Sequence, residues 1–152
     1  MAYKEEKFEL NQNSTGITES DGLGATWAAD IWDFKPPLNT FLKLKPTDIF
    51  SCYLVGDDAA EMPAATQVRI VKRDAANEDA KPVLSACLYQ RVKEFQDKGK
   101  FKRLTLDREV EVGPDEHLVV MVNGADAAGT GDLDASASNF RLQTTRRRRP
   151  LG

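Results

Sequence analysis

The stretch Phe101–Val122, FKRLTLDREVEVGPDEHLVVMV, decides the fold. Phe101, Leu104 and Leu106 lead into Val110 and Val112, a Gly113-Pro114-Asp115 turn follows, and Leu118–Val122 is then almost wholly apolar. Short β-rich segments broken by turn chemistry mark antiparallel strands. A five-residue apolar run is too short for a free-standing helix and too β-branched to favour one. Leu118–Val122 is therefore expected to be the most buried strand of an all-β domain.

Outward from this stretch, the same pattern recurs. Thr40–Leu44, Ile49–Val55, Thr66–Arg73, Leu84–Val92, Phe101–Leu106, Glu109–Val112, Leu118–Val122 and Asn139–Thr145 read as eight strands. Val68 and Ile70 alternate with Arg69, and Phe140 and Leu142 alternate with Arg141 and Gln143, the pattern of a sheet with one buried face. Eight short strands at this spacing predict an all-β, eight-stranded antiparallel sandwich or jelly roll over residues 38–145. Its expected core is Phe50, Leu54, Val68, Ile70, Leu104, Leu118, Val120 and Phe140. Ala86–Lys98 also fits an amphipathic helix through Leu88, Val92 and Phe95, but the strand is expected to run to Val92, with a turn or short helical excursion over 94–99. Gly56–Pro63, Asp74–Pro82 and Asn123–Ser138 read as loops.

Residues 1–37 read as an extended N-terminal arm, because LNQNSTGITESDGLGAT is rich in residues that favour turns and open coil. The arm ends in Trp27, Ile31, Trp32 and Phe34 before Pro36-Pro37. These aromatics either pack on their own domain or anchor a partner, since tryptophan is over-represented among interface hot spots. Residues 146–152 read as a short basic tail. Arg146–Arg149 hold four of the 21 basic residues, which leaves 17 against 24 acidic ones before the tail, a net of −7. An acidic body with a basic tag argues against a general nucleic-acid surface. The arm itself carries three lysines against seven acidic residues. Arm and tag could thus pair between neighbouring copies, with Arg146, Arg147, Arg148 and Arg149 meeting carboxylates. The candidate partner-binding residues are Trp27, Ile31, Trp32, Phe34 and these four arginines.

No constellation of catalytic residues emerges, and no enzyme activity, cofactor or metal is expected. His117 is the single histidine and reads as the residue that begins a strand beside a turn. Asp57-Asp58 and the GTGDLD run with Asp132 and Asp134 offer oxygens for calcium, but they lack the regular D-x-D-x-D-G loop. Cys52 and Cys87 are too few for a disulfide framework and read as reduced core thiols. No apolar stretch approaches the roughly 20 residues of a membrane helix. The N-terminus lacks the apolar core of a signal peptide, so nothing is expected to direct the chain out of the cytoplasm where it is made.

An eight-stranded jelly roll with an arm, without catalytic residues or export signal, and with LDASASNFRLQTT before and through its last strand, resembles the decoration (cement) proteins of tailed-phage capsids. The resemblance implies a non-enzymatic protein on the outer capsid surface of a virion. It further implies a homotrimer or other cluster that binds the major capsid protein and copies of itself, clamping neighbouring capsomers through arm and tail. It implies no membrane partner and no direct nucleic-acid contact. The alternative is a carbohydrate- or receptor-binding jelly-roll module of a phage tail. Such modules present aromatics on loops, whereas both tryptophans here lie in the arm.

Overall fold

The computed structural model describes residues 4–12, 20–23, 29–56, 65–74, 76, 84–124, 131–134 and 137–148. In chain order the elements are β1 (Lys4–Gln12), β2 (Ser20–Leu23), β3 (Ala29–Phe34), β4 (Thr40–Leu44), β5 (Ile49–Tyr53), β6 (Gln67–Arg73), β7 (Ser85–Leu88), α1 (Tyr89–Gln96), β8 (Lys102–Arg103), β9 (Val110–Val112), β10 (His117–Asn123), β11 (Gly131–Leu133) and β12 (Asn139–Arg148).

Two sheets share the main core. In the first, β12 pairs with β1 on one side along its whole length. On its other side β12 pairs with β5 through Asn139–Gln143 and with β4 through Thr145–Arg148. β4 and β5 run the same way beside the same strand, so they are two halves of one strand interrupted at Lys45–Asp48. The Thr144 hydroxyl sits opposite this break, 2.6 Å from an Asp48 carboxylate oxygen and 3.0 Å from the Lys43 carbonyl. The same Asp48 oxygen accepts the Lys45 amide at 2.8 Å and closes the excursion. β8 and β9 are likewise the two halves of the strand beyond, pairing with β5 and β4. The first sheet is thus four strands wide.

The second sheet is also four wide, in the order β3-β10-β6-β7. Followed along the chain, strands alternate between the sheets except at the β6–β7 pair, which stays in one. That is jelly-roll topology, two antiparallel sheets folded over one core. The small pair β2–β11 lies apart from these sheets.

All eight expected core residues are buried. β10 carries five consecutive buried residues, Leu118–Val122. Leu118, Val120 and Val122 belong to the main core, while Val119 and Met121 form a second cluster with Val71. Alternation puts these two sets on opposite faces of the sheet. An unbroken apolar run is the sequence of a strand covered on both sides, and this is the most buried strand, as its sequence predicts.

Four expectations are corrected. The segment 1–37 contains strands of both sheets: β1 is zipped to β12, and β3 is zipped to β10. Ile31 and Trp32 are adjacent yet both buried, which strict alternation forbids. A register shift explains it: Trp32 faces Val120 and Asp30 faces Met121, leaving Ile31 without its own partner. Such a bulge turns two neighbouring side chains to one face. At the other end, Arg146–Arg148 continue β12 and are not a separate tail. Third, the strand expected to reach Val92 ends at Leu88. Tyr89 makes the last ladder bond, to the Thr66 carbonyl at 2.7 Å. The period then changes from two to 3.6, burying Tyr89 and Val92 on one side of α1. Gly99, at φ +69°, ends the excursion as Gly99 and Lys100 return their amides to Gln96 and Phe95. Within the expected loop 123–138, Gly131–Leu133 forms β11, and Leu133 is fully buried.

A charged pole as candidate interface

The registers orient every strand, and they bring Lys4, Arg148, the β3–β4 turn and the β9–β10 turn to one end of the sandwich. Along β12, Phe140, Leu142 and Thr144 point inward while Arg141 and Gln143 point outward. Continuing the alternation sends Arg146 inward at the mouth of the core and Arg147 outward. Opposite them on β1 stand Glu6 and Glu5. Arg146 Nε and Nη2 both donate to one Glu6 oxygen, at 3.1 and 2.7 Å, and the guanidinium lies 5.9 Å from the centre of the Phe8 ring. The two side chains are 29% and 22% exposed. Arg147 reaches Glu111 of β9 at 3.4 Å and lies 3.9 Å from Glu5. The acidic start of the chain and its basic end therefore do meet, but within one molecule.

A second clamp closes the same pole from the other sheet. Lys72 ends the inward row of β6 and is nearly buried. Its ammonium donates to the Glu111 carbonyl at 2.8 Å and pairs with Glu116 at 2.9 Å. The other Glu116 oxygen accepts the Gly113 amide at 2.9 Å. One lysine thus ties β6 to the β9–β10 turn. A buried ammonium requires such partners, because taking it out of water costs several kcal/mol unless it is hydrogen-bonded. Alongside, His117 Nδ1 lies 2.7 Å from the Asp33 carboxylate and joins β10 to β3. The pole also projects Leu38, which is 82% exposed on the turn after Pro37.

The aromatic candidates are placed differently. Trp32 is 2% exposed and stacks on Phe34 and Phe140 with its edge toward Phe50, all centroids 5.7–5.8 Å away. Phe34 in turn meets Phe8 of β1 at 5.8 Å. Ile31 and Trp32 are core residues, which corrects their expected exposure to a partner. Their burial follows from the bulge, which sequence periodicity does not reveal. Trp27 and Arg149 lie outside the described residues, as do Asp57 and Asp58. Arg148 is placed in the ladder opposite Lys4.

The chemistry at this pole is ion pairing. Among the described residues there is no group of three or more histidine, cysteine or acidic side chains able to hold a metal. Both thiols are free; burial pushes Cys52 and Cys87 above the ordinary thiol range. Among the described residues no helix is long and apolar enough to cross a membrane. Glu5, Glu6, Lys72, Glu111 and Glu116 went unnoticed in the sequence because their partners are distant in the chain and scattered among other charges.

No protein-family model matches this chain, and no curated protein matches it. Among solved structures it is similar to VP17, a capsid protein of bacteriophage P23-77. The match has a TM-score of 0.60 and covers 99% of this chain and 100% of that one, at 8% identity. Likeness at that identity is likeness of fold, and it spans both sheets from end to end.

Proposed function

We propose that this chain is a non-enzymatic structural component of a bacteriophage virion. The observation that carries this reading is the fold match to a phage capsid protein, which covers 99% of this chain and 100% of that one. A fold alone does not fix a function, so the reading rests on the surfaces that the described jelly roll offers. Within this reading we propose a decoration role: the protein binds the outside of a capsid and clamps neighbouring capsomers, together with further copies of itself.

The grip is expected from surfaces and not from a free arm and tail. β1 and the end of β12 are already zipped together inside the domain. What the charged pole offers a neighbour is exposed Leu38 amid Lys, Arg and Glu side chains that are only partly screened.

The test is to mix purified protein with shells of the virus that encodes it and to measure co-sedimentation, with electron microscopy of the pellet. Saturable binding to intact shells supports decoration. Spontaneous assembly into shells by the protein alone would retain the virion role and replace decoration by shell building. Binding to glycans or host-cell envelopes without binding to shells would move the protein to the receptor-binding class.

A further inference from the structure

The four strands at the sheet margins differ in one respect. β1 carries Lys4, Glu5, Glu6, Lys7 and Glu9; β3 carries Asp30 and Asp33; β8 and β9 carry Lys102, Arg103 and Glu111. Charged side chains on a margin block pairing with another chain. β7, Ser85-Ala86-Cys87-Leu88, carries none. No described strand flanks it on the side away from β6. Its outward side chains, Ala86 and Leu88, are exposed, Leu88 by 44%. A cavity of about 240 Å³ lined by Gln67, Ala86, Cys87 and Leu88 opens at this margin.

The ladder determines which backbone groups are free. Tyr89 donates directly to Thr66, so in the register of this pair Cys87 and Ser85 are the other residues bonded to β6. Ala86, lying between them, aims its N–H and C=O at the open side, and Leu88 aims its N–H there, while the Leu88 carbonyl, at the N-cap of α1, turns into the helix. The strand cannot be extended at either end. Leu84 has its amide bound to Ile70 and its carbonyl bound to the Asp107 amide, at 2.8 and 3.0 Å, and α1 begins at Tyr89.

We infer that β7 pairs with β7 of a second copy, antiparallel about a two-fold axis through Cys87, joining two second sheets into one continuous sheet. A two-fold perpendicular to the sheet keeps inward faces together, so residues of the same parity must face each other. Centring on Ala86 would need Leu84, which is occupied; centring on Leu88 would need Gln90, which is helical. Centring on Cys87 sets Ala86 against Leu88 of the copy, and Leu88 against Ala86. Each Leu88 N–H then donates to the Ala86 carbonyl of the other strand, and each Leu88 covers an alanine on the outer face. The two Cys87 residues form the non-hydrogen-bonded pair between them, with Cα atoms about 4.5 Å apart. That lies within the ~4.4–6.8 Å that a disulfide spans. The contact is small, so association is reversible and concentration-dependent. The inference stands on the strand's geometry and is independent of the virion role.

The experiment is oxidation of the native protein by copper–phenanthroline with dissolved oxygen, which takes two electrons and two protons from a pair of thiols to form the disulfide. Sedimentation velocity is run on the reduced protein in parallel. The expected result is a covalent dimer on a non-reducing gel that is lost in Cys87→Ser and kept in Cys52→Ser, with a reversible dimer in the reduced sample. Ala86→Pro removes an amide that serves only the open side, and Leu88→Lys adds a guarding charge. Both variants should keep the parent circular dichroism and lose dimer and cross-link alike. Absence of a reversible dimer at the highest soluble concentration overturns the inference. So does a dimer whose Cys87 residues do not cross-link, or a cross-link that persists undiminished in folded Leu88→Lys.

Discussion

β10 and β3 lie side by side in one sheet and bury side chains in one core, yet only one of them announces itself. β10 is LVVMV, apolar at every step, because it is covered on both faces. β3 is Ala-Asp-Ile-Trp-Asp-Phe, and its two core residues are adjacent because a bulge slips the register at Ile31. Even periodicity is a reliable guide where the ladder is regular, and it fails where one extra residue is inserted. In this sequence the failure converts a sheet strand into an apparent arm.

The largest effect should come from the strand whose role was visible. Val120→Asp places an unpaired carboxylate in the core and should cost about 4 kcal/mol or more. A thermal melt within a degree or two of the parent would show that β10 is not central. Trp32→Ala tests whether β3 matters as much, and truncating a packed tryptophan should cost about 3–5 kcal/mol. In a Trp27→Phe background the remaining tryptophan should emit at short wavelength and resist acrylamide quenching. Long-wavelength, quenchable emission would return Trp32 to the surface and abolish the comparison.

A smaller effect should appear where β1 is clipped to β12. Arg146→Ala and Glu6→Ala should each destabilise by about 1–2 kcal/mol, with a coupling near 1 kcal/mol that shrinks in high salt. Strictly additive losses would mean that the guanidinium packs on Phe8 without an effective ion pair.

The smallest effect concerns the thiols. Burial raises both, Cys52 most, from an ordinary value of 9.0. A raised folded-state value means that the neutral thiol is favoured by folding. That contribution is whole below the unfolded-state value and fades as pH rises past it. Stability should therefore decline above about pH 9, and more gently in Cys52→Ala than in the parent. Rapid labelling of Cys52 in the folded protein at neutral pH would contradict its burial.

Of the ionic pole, the sequence showed the ends and not the pairing. An acidic start and a tetra-arginine run were plain, but whether they meet in one chain or between two is a question of register. The answer came from β1 lying along β12 with Glu6 opposite Arg146. Lys72 was one basic residue in an alternating strand. Only its inward direction and the neighbouring turn made it a clamp. The helix at Tyr89–Gln96 was visible as a rival to a strand, and local pattern could not choose between them. Thr66 ends the available ladder partner, and beyond it the chain recovers its backbone bonds by turning helical.

By itself the sequence determined the β class, the eight expected core residues and the central place of Leu118–Val122, since solvent exclusion acts on side chains regardless of where their partners sit in the chain. The count of eight also survived, though with different members. Two apparent strand pairs, β4 with β5 and β8 with β9, merged into single interrupted strands, while β1 and β3 supplied the missing two. Only tertiary structure decided that membership, the bulge at Ile31, the fate of the arginines and the bare margin of β7. Each depends on hydrogen-bond register between segments far apart in sequence, and register is a property of pairs that no single segment encodes.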